Sequence, residues 1–286
     1  MRIVSSLLNV SRSGDGPAVG IEPSDLPGPS APQPVAEPVA KSGSVGTGRF
    51  AKNLRLLFVN GCSYEEWESQ AAAQRISSLF GRTVGKDIRV HYAYVPMKFS
   101  HVVGAIRHGV EPQGCDLLLT TIRERLQEMD TTLRKKVSES HVMQVGRRML
   151  AGGCRLAVFL HSGGGAFFKK VMERLTSEER QKIDVFSFGS AWMFNKDDFH
   201  LVLNAVACWD PFPMLGRIVS GRWFPGPSAP VVRAGSSWQM PVVSHKFLHS
   251  PYQETLRKIV SMYVDEVRYE ALLPPPPIKT EPEEGQ

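Results

Sequence analysis

What most constrains this chain of 286 residues is a set of short apolar runs that do not alternate with polar positions. Leu54–Val59 reads LRLLFV and ends at Asn60-Gly61. Ile183–Phe188 ends at Gly189-Ser190, residues 155–160 run into His161-Ser162, and residues 201–208 stop before Asp210-Pro211. Residues 88–95 alternate instead, and Pro96 closes them. Runs of this length bounded by Gly, Pro and Asn predict buried strands. Helical spacing separates them. Leu118, Ile122, Leu126, Met129, Leu133 and Val137 recur every three or four positions within 115–150, as one long helix or two in succession. Phe167, Phe168, Val171, Met172 and Leu175 mark a helix after the strand at 155–160, and residues 253–267 a last one. Ser63 and Glu66 have capping-box spacing, which predicts a helix from there to Gly81 with Trp67, Ala71 and Leu79 facing inward. Strands without a polar face must be covered on both sides. The expectation is therefore an α/β fold, a mostly parallel sheet with helices on both faces.

Composition sets the limits of that domain. Residues 1–50 are rich in Pro, Gly, Ser, Ala and Val, as in Pro27-Gly28-Pro29-Ser30-Ala31-Pro32. They lack the apolar periodicity that would offset ordering entropy, so they read as a disordered arm. Residues 271–286, with Pro274 to Pro277 and then Glu281, Glu283 and Glu284, read as a proline-rich acidic tail. One α/β domain is expected over 51–270. No apolar run is long enough to span a bilayer, and Met1 to Leu8 is too brief for a cleavable signal. The expected location is cytoplasmic, or outside the cell by a route without an apolar signal.

The net charge is +6, but its basic residues are scattered (Arg147-Arg148, Lys169-Lys170, Arg257-Lys258), which reads as solvated helix faces and not as a nucleic-acid surface. Cys62, Cys115, Cys154 and Cys208 show no CxxC spacing, so they are expected to be free thiols, with no metal site and no cofactor.

In open parallel sheets, chemistry gathers at the carboxyl ends of the strands. The informative exits here are Asn60-Gly61-Cys62-Ser63, His161-Ser162-Gly163-Gly164, Gly189-Ser190 and Asp210-Pro211. Ser162 sits where a strand turns abruptly into a helix, so its hydroxyl is expected to be exposed, with the N–H of Gly163 at the helix N-terminus. Such donors stabilise a developing oxyanion. A free hydroxyl is a poor nucleophile and needs a base held by a third group. Asp210 and then His245 follow Ser162 in the order used by α/β-hydrolases. Catalytic candidates are Ser162, Asp210 and His245, with His249 as the alternative base. Oxyanion candidates are Gly163, Gly61 and Cys62. Each has a plainer reading: Asp210 before proline is also a turn residue, and Cys62 also simply packs. His161 is better suited to local packing or hydrogen bonding than to the role of base. Trp223, Phe224 and Trp238 either line an apolar substrate mouth or bury their own loop.

At these residues the chain resembles class 3 (triacylglycerol) lipases, through His161-Ser162-Gly163-Gly164-Gly165, Phe188-Gly189-Ser190, Asp210-Pro211-Phe212-Pro213 with Leu215-Gly216, and His245. It resembles more closely a chlamydial protein family with a hydrolase-like core. That likeness runs through Phe58-Val59-Asn60-Gly61, the serine turn and His245-Lys246-Phe247-Leu248-His249-Ser250-Pro251, covering roughly Leu54 to Glu270. The resemblance implies an α/β-hydrolase-like fold and a serine-dependent acyl ester hydrolase acting on a small-molecule or lipid ester, with His245 rather than His249 as base. One position departs from it. Hydrolase elbows carry a small residue two positions before the serine, where this chain has Leu160, so either the turn is relaxed or its neighbours make room. Leu160 and the two tails point to a second reading: a catalytically inactive hydrolase-fold binding module, secreted as a bacterial effector and meeting a host protein through its tails. Ile278-Lys279-Thr280-Glu281 fits the acceptor pattern of small ubiquitin-like modifiers.

Overall fold

The structure, a computed structural model, describes residues 38–49, 54–85, 87–139, 155–207, 210–214, 231–234, 245, 247–248 and 252–270, with backbone alone for 132–139 and 266–270. In chain order its elements are β1 (Lys41–Val45), β2 (Leu54–Val59), α1 (Glu66–Val84), β3 (Val90–Tyr94), α2 (Phe99–Arg107), α3 (Cys115–Glu139), β4 (Arg155–His161), α4 (Gly164–Arg174), α5 (Ser177–Arg180), β5 (Ile183–Phe188), β6 (Leu201–Ala207), β7 (Val231–Ala234) and α6 (Tyr252–Glu270).

The strands form one sheet in the order β1-β3-β2-β4-β5-β6-β7. Among the described strands only β1 runs antiparallel to its neighbour, and every other pair is parallel. The α/β class and the mostly parallel sheet expected from the apolar runs are therefore present. Alternate side chains of β4 serve two cores. Leu156, Val158 and Leu160 pack toward α2, α3 and α4, beside Val102, Leu118, Ile122 and Phe167. Ala157 and Phe159 pack toward α1 and α6, beside Ile76, Phe80, Ile259 and Tyr263. Both faces are thus covered, which is why β2, β3 and β5 are buried along their whole lengths. No helix among the described residues is long and apolar enough to cross a membrane.

Five local expectations need correction. Lys41–Val45, inside the stretch read as a disordered arm, is an edge strand paired with β3 from Lys41↔Tyr94 to Val45↔Val90. An edge strand needs only backbone partners, so Lys-Ser-Gly-Ser carries no apolar signature of it. The first helix starts at Glu66, not beside Ser63: the Glu68 carboxylate accepts the Glu65 N–H at 2.8 Å, and Ser63 adopts a left-handed φ of 57°. Its inward face is Ala72, Ala73, Ile76, Leu79 and Phe80, while Trp67 is 61% exposed. The helix runs past Gly81 to end at Gly85, whose φ of 75° supplies the left-handed cap. Finally, α2 and β7 had no counterpart in the sequence reading. The 115–150 pattern is helical to Glu139, and its remainder lies outside the described residues, as do His249, Trp223, Phe224, Trp238, Cys154, Cys208 and Lys279.

Candidate active site

Because β2, β4, β5 and β6 are parallel and adjacent, their exits meet along one edge of the sheet. Asn60, after β2, is fully buried and clamps that edge. Its amide donates to the Gly61 and Val95 carbonyls at 2.8 and 2.9 Å and accepts the Val95 N–H at 2.7 Å. Ser63 adds a second tie between the same exits, donating its N–H to Met97 O at 3.1 Å.

At the exit of β4 the chain reverses within one residue. Ser162 has φ 52°, in the left-handed region that costs an L-residue roughly 1–2 kcal/mol. The strain is held from the neighbouring strand: the Ser162 N–H donates to Phe188 O and its carbonyl accepts the Ala191 N–H, both at 3.1 Å. Of the two ways to accommodate Leu160, the structure uses the second. The turn keeps its strain, and Leu160 is fully buried opposite Val59, in the core under α4. The helix that follows comes close to β2, since a Cβ on Gly164 would lie 2.5 Å from Asn60 O.

His245 meets both of the other predicted residues. Its Nε2 lies 2.7 Å from Ser162 Oγ, and its Nδ1 lies 2.9 Å from each oxygen of Asp210. A carboxylate only accepts, so the imidazole proton belongs on Nδ1, and Nε2 presents a lone pair to the serine hydroxyl. Asp210 is 2% exposed and Ser162 1%, so the serine hydroxyl expected to be exposed is instead covered. The carboxylate is held by two further donors, the Phe212 N–H at 2.9 Å and the Tyr252 hydroxyl at 2.5 Å. Tyr252 also accepts the Ala207 N–H at 3.1 Å, which ties α6 to the end of β6. Burial, followed by the charge of Asp210, pushes the Tyr252 phenol well above its ordinary pKa, so it remains a donor. The Phe212 ring lies flat on the imidazole, with centroids 3.8 Å apart and planes 9° from parallel, and Phe99 of α2 abuts Phe212 edge-on at 5.9 Å.

The predicted oxyanion residues also come together. The Cys62 sulfur lies 2.5 Å from where a Cβ on Gly163 would be, with Met97 and Val102 completing the wall. Burial pushes the thiol up to about 11, partly countered by the backbone N–H groups of Gly163 and of Cys62 itself, which are turned toward the sulfur. Cys62 is therefore a protonated thiol at neutral pH and no nucleophile. Gly61 is the third predicted member: a side chain there would strike Ser162 Cβ and His161 Nδ1, each 2.8 Å away, so only glycine lets the two turns touch.

His161 hydrogen-bonds, but not locally as expected: its Nε2 lies 2.6 Å from the carbonyl oxygen of His245, 84 residues on. Three supporting residues were not anticipated. Phe212 lies in the Asp-Pro-Phe-Pro segment and Gly189 at a strand exit that sequence did mark. Tyr252, at the start of the last helix, carried no signal. Gly189 has φ 53°, and a Cβ there would lie 2.3 Å from Asp210 Oδ2. Among the described residues no group of three or more His, Cys, Asp or Glu side chains is placed to hold a metal ion. The chain matches no protein-family model and no curated protein.

Proposed function

We propose that this chain is a serine-dependent acyl ester hydrolase built on an α/β-hydrolase-like core, as its likeness to class 3 lipases and to the chlamydial family implies. One observation carries the reading: His245 stands within hydrogen-bond reach of Ser162 and Asp210 at once, across 83 and 35 residues of chain. Ser162 Oγ attacks the ester carbonyl while its proton passes to His245 Nε2. The carbonyl oxygen becomes an alkoxide facing the N–H groups of Gly163 and Cys62 once the Cys62 thiol turns aside. Collapse breaks the bond to the leaving oxygen, which takes the proton from Nε2 and departs as the alcohol. Water, deprotonated by the same nitrogen, then releases the acid and restores Ser162. Asp210 fixes the tautomer throughout, with its own orientation kept by Tyr252 and the Phe212 N–H.

A fluorophosphonate probe should label the protein covalently, and Ser162→Ala should abolish that labelling. If neither form labels, the hydrolase reading fails. A second reading, a catalytically inactive hydrolase fold used as a binding module, is favoured by the near-complete cover over Ser162. It predicts that neither form labels although the triad geometry is intact.

A further inference from the structure

His161 is fully covered, and it is surrounded by rings. Those of His245, Tyr64, Phe247 and Tyr252 lie 4.9, 5.5, 5.6 and 6.3 Å from its own. Its Nε2 faces the main-chain oxygen of His245 at 2.6 Å, and its Nδ1 is buried with no hydrogen-bond partner among the described residues. A carbonyl only accepts, so the proton is on Nε2 and Nδ1 is a bare lone pair. Burial first, and then the neighbouring His245, hold its pKa well below the ordinary value, so the ring is neutral. An orphaned buried acceptor costs about 1–3 kcal/mol. A phenylalanine would fill the same aromatic box without that cost. What histidine adds is the Nε2–H.

That hydrogen reaches the backbone of the base itself. The other restraints act elsewhere: Asp210 and Phe212 hold the ring of His245, and Phe247, seated against Phe58 and Phe188 with its carbonyl bonded by Gln253, anchors the chain two residues on. We propose that His161 is a positioning residue: by donating Nε2–H to the main-chain oxygen of His245, it sets the imidazole where Ser162 and Asp210 are both in reach. Its neutrality is part of the role, since a second cation at this distance would oppose the imidazolium formed when Ser162 gives up its proton. The role rests on the serine-hydrolase reading.

Two substitutions separate positioning from packing. His161→Phe keeps the ring and removes the donor, whereas the amide nitrogen of His161→Gln can reach the place of Nε2. With folding verified by circular dichroism, fluorophosphonate labelling of His161→Phe should be about 10- to 100-fold slower than wild type, the cost of a displaced base, and that of His161→Gln close to wild type. Ester hydrolysis should show the loss in kcat with KM unchanged. Equal labelling of His161→Phe and wild type, or equal slowing of the two variants, overturns the proposal. A readout independent of activity comes from the ring-nitrogen NMR resonances. Those of His245 should shift between wild type and His161→Phe, and unchanged resonances also overturn the proposal. Absence of labelling in wild type would instead sink the hydrolase reading, and the resonances would still decide whether His161 positions His245.

Discussion

At the residue scale, the site rests on short contacts that leave no room for change. Gly189 combines a left-handed φ with an approach of 2.3 Å between its would-be Cβ and Asp210 Oδ2, and of 2.7 Å to the Tyr252 hydroxyl. Gly189→Ala should therefore push the carboxylate off the imidazole. Labelling of Ser162 should fall and stability drop by roughly 1–2 kcal/mol from the backbone alone; unfolding curves and labelling rates at one temperature check both. Tyr252→Phe tests the other support. It removes a donor from Asp210 and leaves the Ala207 N–H without its acceptor, a change expected to cost about 1–3 kcal/mol in urea unfolding. Cys62→Ala should act in the opposite direction on rate. Removing the sulfur packed against Gly163 should open the space beside the Gly163 N–H and speed fluorophosphonate labelling, and slower labelling would show that the thiol does not block that space.

Elements carry the next layer, and here glycines of one kind of helix behave in opposite ways. Gly164 opens α4 against the backbone of β2, and a Cβ would meet Asn60 O at 2.5 Å and Val59 O at 3.0 Å. Neither carbonyl can swing aside, so Gly164→Ala should destabilise by about 1–3 kcal/mol through overpacking. Gly104 in α2 has nothing nearer its would-be Cβ than Val110, at 3.9 Å. Gly104→Ala should stabilise by about 0.5–1 kcal/mol, since it removes only backbone freedom from the unfolded chain. Thermal unfolding of the two variants side by side decides, and the same sign for both would refute the packing argument. Elements also show where sequence was a sufficient guide. The spans of β2 and β5 were readable residue for residue because buried parallel strands are predominantly apolar, with Arg55, Asp184 and Ser187 the polar exceptions. The start of α1 was misplaced because Ser63 and Glu66 have capping spacing, while Ser63, at a positive φ, is tied to Met97 beyond the end of β3, which no local pattern announces. The strand at 41–45 and the helix α2 were invisible for a related reason: each is stabilised by what it lies against.

For the whole molecule, two buried histidines set how stability depends on pH. His161 is held well below its ordinary value by burial and by His245. His91, at the far end of the sheet, is pushed down to about 4 by burial and by Arg125, with Arg89 and Arg55 adding to it and Glu128 opposing. In both cases the unfolded chain binds the proton more readily than the folded one. Their contribution is thus complete above the unfolded pKa of about 6.5 and declines as pH falls below it, by about 1.4 kcal/mol per pH unit for each histidine. The carboxylates with lowered values, such as Glu128 and Glu173, begin to matter only below about 4.5. Between pH 7 and pH 5 the histidines should therefore dominate. Urea unfolding should show stability falling over that interval, and His91→Gln should flatten the fall; a rise toward pH 5 would refute the assignment.

By itself the sequence determined the α/β alternation, the fully covered sheet and the order Ser162, Asp210, His245 at strand exits and a late loop. Each of these follows from local properties, namely apolar periodicity, turn residues and position along the chain. Only the tertiary structure decided that one imidazole meets both partners, that Leu160 coexists with a strained serine turn, and that Tyr252 and the Phe212 N–H meet Asp210 while His161 meets the His245 carbonyl. Those are contacts between residues far apart in sequence. Their distances depend on strand order, on the φ of a single serine and on which side chains share a core, none of which a local pattern encodes.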